Sequence, residues 1–426
     1  MFMISPRQQT PGHRSNNFDF LRFFFAALVI FSHSFDLMGG KGANPISQFT
    51  RCQIDGGSVA VNGFFIISGF LIAQSFLNSR SVLDYFKRRV LRIYPGFVAA
   101  AIISLVFFGW LGMHFSRAYW QNIEPLIFLQ RLPILKQLWI PQTFHDSHWP
   151  LVNGPIWTIQ YEFVCYILIA LLGLAGILQR RAFLLILFAS VFVFYVLQIA
   201  NGSLSEPAGI TLYNWKEFPI GGAPDNYPRF LSYFLVGTLA FLYRERITYR
   251  PRIAVFFVVA TLIIARLGHG MDVILPFSLC YLVLFVAFDP RIPLQNWAKH
   301  GDFSYGLYLY GWPVQQSVIL LCRSWITPWL VFVLSLPLTL LFAVGSWYLI
   351  ERRFLRLKQH HLQFPTGLTR VQAPQYWYKL REGSMKTGWL KIRWPRSDNA
   401  QQQKQRSSGS KLRQHDNADP IASTSP

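Results

Sequence analysis

The chain has 426 residues, of which 52% are hydrophobic, 17% aromatic and 14% charged. A soluble domain carries about a quarter charged residues, so this composition argues against an ordinary soluble enzyme. The net charge of +21 would suit a nucleic-acid-binding protein, but the charges stand in short clusters between long apolar runs. That arrangement argues against nucleic acid as a partner and predicts a multipass membrane protein.

Ten apolar segments are candidates to cross the membrane, since a spanning helix takes roughly 20 mostly apolar residues. In chain order they are residues 18–38, 59–77, 93–113, 156–178, 182–200, 229–243, 253–267, 273–288, 303–321 and 328–350. The predicted fold is an all-α integral membrane protein with about ten transmembrane helices. Because the number is even, both termini are expected on the same side.

The charge of the connecting loops indicates which side that is. One set of loops, at residues 80–92, 180–181, 244–252 and 291–299, is rich in Arg and Lys. The alternate loops carry fewer cations, mixed with acidic residues. By the positive-inside rule the first set faces the cytoplasm, and with it both termini. The large loops on the outer side are then able to receive a substrate.

This topology divides the chain into three parts. Residues 1–17 form a cytoplasmic N-terminal segment, residues 18–350 the transmembrane domain, and residues 351–426 a basic cytoplasmic tail. The end of the tail is polar and low in complexity, which predicts disorder over part of it. Its tryptophans lie among Lys and Arg, a pattern that suits contact with anionic membrane lipid. A solvated tail with no function of its own fits equally well.

The first span carries ionisable residues, which are costly inside a membrane and therefore indicate a functional site. They are Asp19, Arg22 and His33, followed by Asp36. Arg22 and His33 are eleven residues apart, which places them on nearly the same helix face, about 16.5 Å apart along the axis. Asp36 follows His33 by one turn and is positioned to hydrogen-bond its ring. This shared face favours a joint role over a snorkelling arginine and a structural histidine.

The fourth span adds a buried carboxylate, Glu162. Counted from the ends of the two spans, Glu162 and His33 fall at similar depth, in the outer half of the membrane. A carboxylate beside an imidazole orients the ring and stabilises its charged form, so the two are predicted to form a general-base pair. A structural ion pair is the alternative reading, and Asp36 is the rival partner for His33.

Two further segments are suggestive without being specific. Arg88, Arg89 and Arg92 stand before the third span, where forked guanidinium donors suit phosphate oxygens. By composition alone, an ordinary positive-inside cluster explains them better. In the second span, Ser68 and Gly69 are small residues that permit close helix packing. The four cysteines form no CxxC pair, so neither a disulfide framework nor a metal site is predicted.

Over residues 17–353 the sequence resembles the acyltransferase 3 family, multipass enzymes that acylate bacterial surface glycans and some small molecules. Six motifs in the family's order carry the resemblance. They are Phe18-Asp19-Phe20-Leu21-Arg22 with His33; the run from Phe64 through Ser68 and Gly69; Arg88-Arg89-x-x-Arg92-Ile-Tyr-Pro; Trp157-x4-Glu162-x3-Tyr166; Phe303-Ser304-Tyr305-Gly-Leu-Tyr308; and Tyr348-Leu-Ile-Glu351-Arg352.

The resemblance implies a reaction and roles for particular residues. Arg22, Arg89 and Arg92 would bind the phosphates of an acyl-CoA donor, and His33 would be the catalytic base. Acetyl-CoA is the expected donor because the family often uses it. The implied acceptor is a hydroxyl of a cell-surface or lipid-linked carbohydrate, and the implied location is the bacterial inner membrane. The alternatives are an O-acyltransferase for a small-molecule or lipid acceptor, and a transporter in which these residues form a substrate or proton path.

Overall fold

The computed structural model describes residues 16–39, 42–136, 140, 143–145, 147–202, 222–322 and 325–357. Within these ranges the chain is helical, without β-strands, and each of the ten predicted segments overlaps a helix of 16 to 22 residues. The helices are α1 (Phe18–Gly39), α2 (Gly56–Leu77), α3 (Val82–Ile103), α4 (Thr158–Leu174), α5 (Arg181–Ala200), α6 (Tyr227–Leu242), α7 (Pro251–Leu267), α8 (Met271–Phe288), α9 (Ser304–Cys322) and α10 (Pro328–Ser346).

Seven of the described helical segments are long and apolar enough to cross a membrane. Of the remaining three, α6 and α7 have 16 and 17 residues. The third, α9, carries polar side chains such as Gln315 and Gln316 among its apolar ones. The chain is therefore an integral membrane protein, as its composition predicts.

Helix α3 begins earlier than the predicted segment at residue 93. Its first turn is capped by Ser81, whose hydroxyl accepts a hydrogen bond from the Asp84 backbone N–H at 3.1 Å. Arg88 then donates to both carboxylate oxygens of Asp84, at 3.1 and 2.8 Å. The basic residues therefore lie on the helix and not in a loop before it. An apolar run marks only the apolar part of a helix, so a capped polar first half is missed.

The backbones of α2 and α6 touch at two glycines. A Cβ atom at Gly69 would lie 2.0 Å from the Phe234 carbonyl oxygen, and one at Gly237 would lie 2.1 Å from the Ile66 carbonyl oxygen. Only a residue without a side chain fits either position. The close packing predicted for the second span thus occurs at Gly69.

Replacing Gly69 by alanine is expected to destabilise the protein by about 1–3 kcal/mol, because a backbone oxygen yields only if the two helices separate. The measurement is the apparent melting temperature of the detergent-solubilised protein. Gly345→Ala is the matched control, since a Cβ there meets no described atom within 4 Å. An unchanged melting temperature for Gly69→Ala would contradict the close contact.

The segment before α4 enters the bundle as irregular chain, ends in a 3₁₀ turn at Pro155–Trp157 and runs down the side of α9. Each successive residue contacts a position nearer the start of that helix. In chain order, the Leu151 carbonyl accepts from the Trp312 indole at 2.9 Å, the Asn153 amide donates to the Leu309 carbonyl at 2.9 Å, and the Pro155 carbonyl accepts from the Tyr308 hydroxyl at 2.7 Å. Irregular backbone at this depth is tolerated where protein groups satisfy its polar atoms. It carries the start of α4 well inside the bundle.

The last helix extends past the predicted end of the transmembrane domain. α10 continues through a π-helical turn, Trp347–Glu351, into a short helix, Arg352–Arg356. Glu351 is consequently buried, with 3% of its surface exposed. The predictions for residues 1–15 and for the tail beyond residue 357, including its contact with lipid, lie outside the described residues.

Candidate active site

Two adjoining cavities occupy the end of the bundle at which α1 and α9 begin. The wide cavity has a volume of about 840 Å³ and the narrow one about 130 Å³. Arg22, Leu71, Arg89 and Arg92 line both, so the cavities meet at three guanidinium groups. The structure thus brings together, from α1 and α3, three of the four cations that the sequence predicts to bind phosphate.

A carboxylate that sequence reasoning missed, Asp302, connects two of these arginines. Its Oδ2 atom accepts a hydrogen bond from Arg92 Nη2 at 2.6 Å and lies 3.3 Å from Arg22 Nη2. Arg22 also pairs with Asp19, one turn earlier on α1, and both line the wide cavity. Burial alone would raise the pKa of Asp302, but the two guanidiniums outweigh burial and hold that pKa below its ordinary value. Its position directly before Phe303-Ser304-Tyr305 was the one available signal.

Arg88 and Arg89 are neighbours in sequence but have different surroundings. Arg89 stands over the Tyr166 ring, 5.9 Å from its centroid, and donates to Ser75 Oγ at 3.3 Å. Arg88 is engaged by Asp84 and lines neither cavity. Consecutive residues on a helix point about 100° apart, so one faces the cavity while the other faces away. A donor-binding role for Arg88 stays a prediction that this geometry does not favour.

The narrow cavity holds the carboxylate of Glu162. Its Oε1 atom accepts hydrogen bonds from the Ser68 hydroxyl at 3.0 Å and from the Tyr166 hydroxyl at 2.6 Å. Ser68 therefore belongs to the cavity wall, whereas its neighbour Gly69 serves helix packing. The site thus has a fixed, partly buried carboxylate beside two hydroxyl groups, a short way in from the arginines.

Tyrosines from α9 form another part of this wall. The Tyr305 ring lies under the Arg92 guanidinium at 5.8 Å, and its hydroxyl donates to the Ile93 carbonyl at 2.9 Å. Tyr308 hydrogen-bonds Thr158 at the start of α4. These contacts hold α3, α4 and α9 together around the cavity. The predicted motif residue Trp157 instead packs on α6, where its ring lies 5.6 Å from that of Phe230.

His33 lies outside the walls of both cavities. Its ring stands edge-on to Trp312 of α9, with centroids 4.9 Å apart. Asp55, the residue that caps the start of α2, is a described carboxylate that interacts electrostatically with the His33 ring. Asp36 lies one turn further along α1, where its carbonyl accepts from the Trp149 indole at 3.1 Å. His33 thus lies on α1 where that helix packs against α9 and against the segment that descends toward α4.

The predicted contact between His33 and Glu162 is not formed among the described residues. Glu162 shares its cavity with Tyr305 and Tyr308, while His33 packs against Trp312, four to seven residues further along α9. At 1.5 Å per residue, this places His33 about 6 to 10 Å beyond Glu162 along the bundle. The equal depth expected from the sequence assumed that α4 starts at the membrane surface.

The two cavities suit a long anionic ligand. Arginine side chains from two helices offer forked donors at the wide cavity. Two of those donors, Nε of Arg22 and Nε of Arg89, are buried and have no hydrogen-bond partner in the described part of the chain. Such orphaned donors are costly, and an acceptor from a bound molecule would satisfy them. The narrow cavity beyond them has room for a thin chain and is lined by Glu162 and, further from the arginines, by Thr158 at the start of α4. His33 stands further along the same axis.

The chain is similar to known acyltransferases over most of its length. A family model described as an acyltransferase domain matches residues 15–348. An O-acetyl transferase of Shigella phage Sf6 is 30% identical over 356 residues, which cover 80% of this chain and 97% of that protein. Nodulation protein 10 of Rhizobium leguminosarum bv. viciae is 26% identical over 385 residues, covering 82% of this chain and 96% of its own. No solved structure matches the chain significantly.

The matched range extends over all ten helices, α1 to α10, and includes every residue that lines the narrow cavity. The similarity therefore extends over the membrane-embedded body and its candidate site together. The chain belongs to the acyltransferase 3 family, and the protein is a membrane acyltransferase.

Proposed function

We propose that the protein transfers an acetyl group from acetyl-CoA to a hydroxyl of a cell-surface or lipid-linked carbohydrate. The observation that supports acetyl-CoA as the donor is the junction of the two cavities, where Arg22, Arg89 and Arg92 converge. The similarity to an O-acetyl transferase supports acetyl as the group and a hydroxyl as its destination.

In this proposal the arginines bind the phosphates of the coenzyme in the wide cavity. Guanidinium groups match phosphate oxygens in pairs, and the Nε atoms of Arg22 and Arg89 supply donors that no described residue accepts. The thin pantetheine arm then enters the narrow cavity and brings the thioester to the level of Glu162 and beyond. Glu162, fixed by Ser68 and Tyr166, acts on this donor side as a second acid/base group.

His33 is the proposed base for the acceptor. It takes the proton of the acceptor hydroxyl as that oxygen attacks the thioester carbonyl carbon, the C–S bond breaks, and the CoA thiolate leaves. The imidazolium so formed needs a nearby negative charge, which Asp55 supplies, with Asp36 as a second candidate on α1. Because His33 lies about 6 to 10 Å beyond Glu162, the two substrates meet between the levels of these side chains.

The proposed topology gives each substrate its own side. With ten spans, both termini in the cytoplasm and the arginines at the inner end, acetyl-CoA enters from the cytoplasm, where it is made. The acceptor approaches His33 from the outer side of the bacterial inner membrane. The acetyl group thus passes through the membrane interior to the acceptor, while the coenzyme stays on the cytoplasmic side.

The test uses the full chain in lipid nanodiscs with acetyl-CoA labelled in the acetyl group. With a lipid-linked oligosaccharide as acceptor, we expect label in the carbohydrate and one equivalent of free CoA thiol. NMR of the product identifies the acylated hydroxyl. Label in a lipid or in a small molecule would instead identify that molecule, and not a carbohydrate, as the acceptor. Absence of acetyl-CoA consumption with every acceptor would refute the proposed reaction and favour a transporter.

A further inference from the structure

One oxygen atom of Asp302 contacts two of the three arginines that would bind the donor's phosphates. Oδ2 contacts Nη2 of Arg22 on α1 and Nη2 of Arg92 on α3, at 3.3 and 2.6 Å. Two guanidiniums directed at one anionic oxygen is an arrangement typical of phosphate binding. The protein therefore supplies its own anion to the arginines that the proposed donor needs.

This carboxylate is held in place from its other side. Asp302 Oδ1 accepts from the Ser304 hydroxyl at 2.5 Å and from the Ser304 backbone N–H at 3.3 Å, where α9 begins. Only 9% of the Asp302 side chain is exposed, against 22% for Arg22 and 19% for Arg92. The long arginine side chains are thus the groups free to exchange partners, while the carboxylate stays fixed.

The site also has more donors than Asp302 is able to satisfy. Nε of Arg22 and Nε of Arg89 are buried with no hydrogen-bond partner among the described residues, although both arginines line the wide cavity. A single carboxylate oxygen neutralises part of the charge, whereas a polyphosphate offers several oxygens. It is therefore favourable for the arginines to exchange Asp302 for a polyphosphate. Exchanging it for a small anion would add few hydrogen bonds.

We propose that Asp302 is an internal counterion, which Arg22 and Arg92 exchange for the donor's phosphates and recover when CoA leaves. The proposal rests on the proposed donor. Without Asp302, Arg92 would lose its ion-pair partner in the empty protein and Arg22 would keep only Asp19, which is destabilising. With it, a fixed negative charge opposes the phosphates, lowers the affinity for CoA and speeds its release.

The experiment is calorimetric titration of CoA into full-length wild type and Asp302→Asn in nanodiscs. Asparagine keeps the shape but removes the charge, so we expect CoA to bind about tenfold more tightly. We expect the ligand-free variant to melt at a lower temperature and to gain more from CoA than wild type does. In turnover, both KM for acetyl-CoA and kcat should fall, because product release slows.

Asp289→Asn is the matched control. Asp289 is also buried and paired with an arginine, Arg291, at 2.6 Å, but it lines neither cavity. This variant should melt lower while its dissociation constant for CoA stays at the wild-type value. A merely structural role for Asp302 would make the two variants behave alike.

A folded Asp302→Asn protein that binds CoA no more tightly than wild type overturns the proposal. If that variant is not recovered, Ser304→Ala removes the hydroxyl that anchors Asp302 and should tighten CoA binding by a smaller factor. Unchanged or weaker binding there overturns it as well. Failure of wild type to bind CoA would refute the donor itself, which separates the two conclusions.

Discussion

Replacing His33 by alanine is expected to reduce acetyl transfer by about 10³-fold or more, because the acceptor hydroxyl loses its base. CoA binding should remain, since His33 lines neither cavity and contacts Trp312 instead. Transfer is measured with labelled acetyl-CoA, and binding by calorimetry on the same preparation. Loss of turnover with a retained dissociation constant separates a catalytic role from unfolding.

Glu162→Gln is the informative comparison for this variant. Glu162 lies in the narrow cavity and does not contact His33, so the two losses should differ in kind. We expect Glu162→Gln to lower kcat by less than His33→Ala. Full transfer by His33→Ala would remove His33 from the mechanism. If Glu162→Gln were then inactive, the base would be the carboxylate on the donor side.

Replacing Arg92 by alanine is expected to weaken CoA binding by about 30- to 100-fold, the scale for loss of a partly buried charged hydrogen bond. Arg92 lines both cavities, so its removal takes away a group that would donate hydrogen bonds to phosphate at their junction. Asp302 would then pair with Arg22 alone, which withdraws a second guanidinium from the ligand. The measurement is the dissociation constant for CoA, with the acceptor absent.

Arg88→Ala provides the control within the same motif. Arg88 is four residues before Arg92 and equally basic, but Asp84 engages it and it faces neither cavity. Exposed ion pairs contribute little, so we expect less than about a twofold change in the dissociation constant. Equal losses of CoA affinity in both variants would mean that CoA binding depends on the overall charge of α3 and not on the cavity.

Much of the fold is predictable because a membrane imposes a simple length requirement. All ten apolar segments correspond to helices, and seven described helical segments satisfy the length and apolarity of a span. The start of α3 was missed because a capped, charged first half has no apolar signature. Part of the site was also predictable, since Arg22 and His33 lie on one helix whose rise and pitch are constant.

The sequence alone determined which residues are costly in a membrane and how those on one helix are spaced. Only the tertiary structure decided how residues on different helices meet. Segment 149–157 descends beside α9 before α4 begins, so Glu162 contacts Ser68 and Tyr166 and lies short of His33. Likewise Asp302, a loop residue by sequence, becomes the partner of Arg22 and Arg92. The physical reason is that helix geometry sets distances within a helix, while the depth of each helix depends on where its chain enters the bundle.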